Sequence, residues 1–276
     1  MTNLECCNFY SHPRLQSCSL LICWHEDAGH LGPRVVDYIN DKLSSSLFCE
    51  IKPDGFFHLA GVAVENDIAV FPESRFHICS EKNLVIFQSA SPGAEWYKFI
   101  NLLLDIVSTV GAVQEIYTVG GMVTLAAHTS KRALIATSNS VRMKNILSNY
   151  GVTQNLEYET PPGQRPTMSS YLLWIANRRN IPGASLWIPI PFYLLSVGDP
   201  RAQRAALDFL NKKFLLNMNL SDLDEEIHQQ NLQIANVANQ YPDLDELLHK
   251  LETNASLSEE ENNRIIQIVN SNIRDR

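Results

Sequence analysis

Two stretches decide the fold: Glu115–Ser140, EIYTVGGMVTLAAHTSKRALIATSNS, and Ile181–Leu210, IPGASLWIPIPFYLLSVGDPRAQRAALDFL. Each contains a short apolar run of the kind that suits a strand buried on both faces. Turn residues follow, and then a segment whose apolar residues recur at helical spacing. Repeated strand–helix alternation predicts an α/β fold, a mostly parallel sheet with helices on both faces.

The same grammar extends outward. Ser19–Trp24 (SLLICW) and Asn83–Gln88 (NLVIFQ) are continuous apolar strand candidates, and Ala133–Ser138 and Ala184–Ile190 complete an expected single sheet with Glu115–Val119. Helices are expected from Pro33 to Leu43, over Trp96–Val107, from Ser140 to Tyr150 with Gly151 ending it, and from Ser169 to Asn180. Leu47–Ile51, Gly61–Val64 and Ile68–Phe71 are short β-prone pieces separated by Pro53, Gly55, Asn66 and Asp67, which reads as hairpins. Gly120 and Gly121 are expected to form a tight loop, Thr160–Pro166 (TPPGQRP) another, and Asp199 with Pro200 a helix start. Trp174 and Trp187 are expected in the core.

The composition changes after Asn217, which predicts an α/β domain over 1–217 and an acidic helical extension over 218–276. Between Asp222 and Glu261 there are eleven acidic residues against one lysine, Lys250. Leu220, Leu223, Ile227, Ile234, Val237 and Tyr241 follow a heptad with Gln230 at one seam position, so this helix either packs on the parent domain or offers a self-association surface. Ser221 with Asp224, and Ser258 with Glu261, resemble capping boxes.

Charge and composition narrow the function classes. The 276 residues carry a formal net charge of -8, and the pI is near 5.5. An acidic chain is poorly suited to displacing counterions from nucleic acid, so no nucleic-acid partner is expected. No apolar run approaches the roughly 20 residues that span a bilayer, and no leader pattern opens the chain, so no membrane partner and a cytoplasmic address are expected. The six cysteines, Cys6, Cys7, Cys18, Cys23, Cys49 and Cys79, all fall in the first 79 residues without paired metal-site spacing. They are expected to be reduced thiols, with no bound metal.

Four segments in order carry a family resemblance: LLICWHEDAGHLGPRVVDYI from Leu20, IYTVGG from Ile116, IPGASLWIPIP from Ile181, and GDPRAQRAALDFL from Gly198, continuing into NLSDLDEEI from Asn219. Together they resemble prokaryotic members of the proteasome assembly chaperone 2 family. That resemblance implies a three-layer sandwich like those of nucleoside phosphorylases and related hydrolases, commonly self-associating. Two departures matter. The glycine-rich turn after the first strand is replaced by His25, Glu26, Asp27 and His30, and the chain ends NIRDR, without the hydrophobic–tyrosine tail by which archaeal relatives dock on proteasome rings. Docking by that route is therefore not expected.

Ligands of open α/β sheets bind beyond the carboxyl ends of strands. The loops His25–Gly32, Gly120–Ser130 and Ser196–Arg201 occupy such positions, which makes His25, Glu26, Asp27, His30, Gly120, Gly121, His128 and Asp199 the candidate ligand-binding residues. A double glycine lets a backbone approach a phosphate, but no Walker lysine or dinucleotide fingerprint accompanies it. His25 and His30 lack the spacing of a zinc set. Ser138, His128 and Asp199 are hydrolase-triad residue types without a nucleophile elbow, so no catalytic residue is assigned. The expectation is a non-enzymatic, assembly-chaperone-like or scaffold homo-oligomer without a cofactor. The alternative is a binding protein or phosphorylase-like enzyme for a nucleoside-like or phosphorylated small molecule.

Overall fold

The computed structural model describes residues 4–57, 63–65, 67–154, 157, 159 and 163–273. In chain order the elements are β1 (Cys7–Phe9), β2 (Ser17–Trp24), α1 (Leu31–Leu43), β3 (Ser46–Ile51), β4 (Ala63–Glu65), β5 (Ile68–Val70), β6 (Ser74–Cys79), β7 (Leu84–Ser89), α2 (Trp96–Val110) and β8 (Ala112–Thr124). Then come β9 (Ile135–Ser138), α3 (Val141–Ser148), α4 (Met168–Arg178), β10 (Gly183–Pro191), α5 (Pro200–Phe214), α6 (Ser221–Gln240), α7 (Pro242–Glu252) and α8 (Glu259–Asn272). Eight strands form one sheet in the order β1-β3-β6-β7-β2-β8-β10-β9, and β4 with β5 forms a separate hairpin. At the centre β2 runs parallel to both β7 and β8, whereas β1, β3, β6 and β7 pair antiparallel. The five expected strands thus lie in one mixed sheet with helices, an α/β sandwich.

The chain divides into two compact units. The first is Met1–Glu26, Val36–Val119 and Ile135–Leu186; the second is Asp27–Val35, Gly120–Leu134 and Trp187–Arg276. In the first unit, β2 and β7 bury every residue of LLIC and LVIF because both faces are covered, the reason those runs do not alternate. Phe87 sits at the heart, with ring centroids 4.5 Å from Phe76 and 6.2 Å from Phe99 on α2. Truncating a fully buried phenylalanine such as Phe99 costs about 3–5 kcal/mol. Asn139 ties β10 to α4: its Nδ2 donates to the Leu173 and Ile181 carbonyls and its Oδ1 accepts from the Gly183 N–H at 2.8 Å.

In the second unit α5–α8 bury their apolar stripes within the unit. Leu223, Ile234 and Val237 of α6 are buried, and Gln230 donates to the Gly198 carbonyl at 2.9 Å, so the heptad seam is occupied inside the chain. The Ser258–Glu261 capping box forms in both directions. The one expected at Ser221 does not: Ser221 is already helical, and its N–H is taken by Asn219 Oδ1 at 2.9 Å.

Three other expectations are corrected. Gly120 and Gly121 lie inside β8, not in a loop, and neither has a positive φ. Trp174 is 47% exposed, because the buried stripe of α4 is Leu172, Ile175 and Ala176, and its ring instead meets Tyr171 at 5.4 Å and Arg178 at 5.1 Å. Trp187 is half-buried. Gly61 and Val62 of the first expected hairpin, Thr160–Pro162 of the proline-rich loop, and Arg274–Arg276 of the tail lie outside the described residues.

Candidate functional site

The structure separates the candidate residues. His25 and Glu26 belong to the first unit, where the His25 N–H donates to the Ser89 carbonyl at 2.9 Å and Glu26 Oε2 accepts from the Ser91 N–H at 2.8 Å. Burial, outweighing the nearby Glu26, Asp37 and Glu73 carboxylates, holds His25 below the usual histidine pKa. Asp27, His30, Gly120, Gly121, His128 and Asp199 belong to the second unit.

There, the loop after β2 lies directly on β8. Asp27 Oδ2 accepts from the Gly32 N–H at 2.8 Å and from the Gly121 N–H at 2.7 Å, fastening the start of α1 to the strand. A Cβ at Gly121 would stand 2.1 Å from the Ala28 carbonyl oxygen, so glycine is required there by close approach and not by a turn. Gly29 at φ +68° needs the left-handed region, and a Cβ would also meet Ile190 Cδ1 at 2.9 Å. Asp27 Oδ1 is buried and has no hydrogen-bond partner among the described residues. Burial outweighs the two backbone donors and raises the carboxyl pKa to about 6. His30 is exposed, at a φ of 50°.

A second network holds the loop after β8. The Arg132 guanidinium, 2% exposed, donates from Nε to Asp199 Oδ2 at 2.7 Å, the carboxylate being fully buried. It also donates to the carbonyls of Ala127, Ser130 and His128 at 3.3, 2.6 and 3.2 Å. Asp199 Oδ1 accepts from the Arg201 and Ala202 N–H groups at 3.0 and 3.1 Å, capping α5. The Tyr193 hydroxyl accepts from the His128 N–H at 2.6 Å and lies 3.1 Å from His128 Nδ1. An oxygen that already accepts there is best placed to donate to Nδ1, which assigns the imidazole proton to Nε2. Burial lowers the His128 pKa to about 4, so the ring is neutral near pH 7.

This arrangement does not make a triad. Both Asp199 oxygens are committed to Arg132 and the helix start, leaving none to orient His128. Among the described residues no group of three or more His, Cys, Asp or Glu side chains could hold a metal ion. A recess of about 310 Å³ between α7 and α8 is lined by Asp243, Glu246, Leu247, Lys250, Glu261 and Arg264, none of them a candidate residue. Both of its cations are held in ion pairs, Arg264–Asp243 at 2.6 Å and Lys250–Glu261 at 2.7 Å.

Sequence reasoning missed Arg132, Tyr193 and Gln203, whose Nε2 reaches the Arg34 carbonyl at 3.1 Å. Each acts across a long sequence separation, and no spacing rule signals it. It also missed that Met122, Val123 and Leu125, at and just beyond the end of β8, are 39%, 52% and 65% exposed.

Fold and site together define an α/β protein whose strand-end polar groups mostly bond one another, beside an uncovered apolar strand end. The chain belongs to the PAC2 family, whose model matches residues 25–238. Among solved structures it is similar to Pyrococcus furiosus PbaB, described as an archaeal proteasome activator, at 19% identity and a TM-score of 0.66, covering 84% of this chain and 97% of that one. A proteasome-assembly chaperone homologue from Mycobacterium tuberculosis gives 16% and 0.66, covering 79% and 94%. A protein of unknown function from Corynebacterium glutamicum gives 16% and 0.72, covering 91% and 96%. At these identities the likeness concerns the fold. Among curated proteins no match is found. No helix among the described residues is long and apolar enough to cross a membrane.

Proposed function

We propose that this chain works as a protein-binding, assembly-chaperone-like member of its family that associates with copies of itself, and that it does not transform a small molecule. The observation carrying this reading is the run Met122, Val123 and Leu125, exposed on a strand end beside polar side chains already committed to one another. Exposed apolar side chains grouped on one element mark interaction surfaces more often than chance exposure does. The names of similar structures, an archaeal homolog of proteasome-assembly chaperone and a proteasome activator, support the same class.

The test is photo-crosslinking in the native host from a probe amino acid at Leu125, with Lys213 as a control position on α5. Protein adducts specific to the Leu125 probe, among them a second copy of this chain, are expected. Adducts equal at both positions, or none at Leu125, would overturn the reading.

A second reading rests on Asp27 Oδ1, a buried acceptor without a partner among the described residues. A small ligand that donates a hydrogen bond would complete it. Ligand-detected NMR against nucleosides and phosphorylated metabolites, with Asp27→Asn as control, separates the two: binding abolished by the substitution favours the ligand reading.

A further inference from the structure

The stretch 160–198 carries no acidic residue and three arginines, Arg165, Arg178 and Arg179, in a chain whose formal net charge is -8. Within it, α4 buries Leu172, Ile175 and Ala176 and leaves Ser170, Trp174, Asn177 and Arg178 exposed. Trp174 does not stand alone on that outer face. Arg165 lies over the Trp96 ring at 5.9 Å, Trp96 is 5.8 Å from Tyr171, Tyr171 is 5.4 Å from Trp174, and Arg178 lies over Trp174 at 5.1 Å. The contacts form one unbroken series, three rings with a guanidinium at each end, and all five residues belong to the first unit.

The series stands on fixed elements. Trp96 Nε1 donates to the Pro92 carbonyl at 2.6 Å, and Trp96 and Tyr171 both pack against the core cluster. Thr167 caps α4, its Oγ1 accepting from the Ser170 N–H at 3.1 Å. Successive rings are tilted by 59° and 32°, so they make a shelf and not a slot for one flat molecule. A guanidinium lying over a ring keeps N–H donors for an anion. Among the described residues neither Arg165 nor Arg178 makes an ion pair, whereas Arg179 is held by Asp105 at 2.6 Å, and Glu95, beside Trp96 in the chain, by Lys98 at 2.7 Å.

We propose that the face built from Arg165, Trp96, Tyr171, Trp174 and Arg178 docks an acidic, proline-containing segment of another protein. Prolines in an extended PPII stretch lay their rings on tryptophan and tyrosine at little entropic cost, and carboxylates to either side meet the two guanidiniums. Tyr171 to Arg178 advances about 10 Å along α4, the length of about three PPII residues, and Trp96 and Arg165 continue the series. Single-stranded nucleic acid would also stack on such rings, but its backbone calls for a basic groove, which a chain of net charge -8 is poorly suited to supply. The face involves none of Met122, Val123 and Leu125, so the two surfaces hold or fail separately.

The test is fluorescence anisotropy on the full-length protein with a fluorescein-labelled peptide of prolines flanked by glutamates at both ends. A lysine-flanked peptide and labelled oligothymidylate are the comparisons. Saturable binding of the glutamate-flanked peptide, weakening as salt is raised, is expected, with neither comparison binding as tightly. Trp174→Ala and Arg178→Glu should each weaken it several-fold. Both side chains are exposed, so the fold is kept, which circular dichroism checks. The proposal is overturned if the glutamate-flanked peptide shows no saturable binding, if either comparison binds as well or better, or if the folded variants bind like wild type. It is also overturned if Trp174→Ala changes the oligomer mass by light scattering, which would make the face an interface between copies of this chain.

Discussion

Replacing Arg132 by methionine tests the claim that the strand-end polar network is structural. Methionine matches much of the arginine stem, so the substitution removes charge and donors while opening little space. Four hydrogen bonds disappear: one to the fully buried Asp199 carboxylate at 2.7 Å, and those to the Ala127, Ser130 and His128 carbonyls. Asp199 keeps the Arg201 and Ala202 N–H groups but loses its counter-charge. Breaking one side of a buried pair costs about 3–5 kcal/mol, against about 0–1 kcal/mol for a surface pair such as Lys98–Glu95. In a chain of this size that is a fall in Tm on the order of 10 °C. The assay is urea unfolding followed by circular dichroism, on Arg132→Met, Asp199→Asn and the double variant. The double variant should lose clearly less than the sum of the singles, because neither charge is then left alone. A single-variant loss below about 1 kcal/mol, or strict additivity, would refute the structural role.

Gly121→Ala places a Cβ 2.1 Å from the Ala28 carbonyl oxygen, with backbone on both sides, so it should lower the yield of folded protein; an unchanged Tm would contradict the close-approach argument. Asp27 has a folded-state pKa raised from 3.8 to about 6, so the native state binds more protons than the unfolded one between those values. Its contribution to stability is therefore full below about pH 4 and is lost as pH rises through about 6. Urea midpoints for wild type and Asp27→Asn between pH 4 and 7 should converge in slope only above about pH 6, and identical pH profiles throughout would refute the assignment. Truncation after Asn217 removes α6, which packs on α5; aggregation or a large fall in Tm is expected, and an unchanged melting curve would exclude that packing role.

The fold is legible where physics leaves a periodic trace. SLLICW, NLVIFQ and the core of Ile181–Pro191 are apolar throughout because both faces of their strands are covered. β6 escapes such a reading because SRFHIC mixes polar and apolar residues in a short run after Pro72, and its partners β3 and β7 are what make it a strand. The two glycines of β8 mislead for a definite reason: a missing Cβ serves either a positive φ or a close approach, and only Ala28 lying on the strand distinguishes them. Asp27, His128 and Asp199 stand out as residue types, but their roles depend on Gly32, Gly121, Tyr193 and Arg132, which the topology brings together and the sequence does not. Trp174 is misplaced because a lone large aromatic resembles core, whereas the helix turns it outward.

The central claim, that the uncovered end of β8 is an association surface, is tested most directly by light scattering on the full-length chain and on the triple substitution Met122→Ser, Val123→Ser, Leu125→Ser. The account predicts a wild-type mass that is a multiple of 31.1 kDa and a folded variant at or near 31.1 kDa. A wild-type monomer at micromolar to millimolar concentration, or a folded variant with the wild-type oligomer mass, would contradict it.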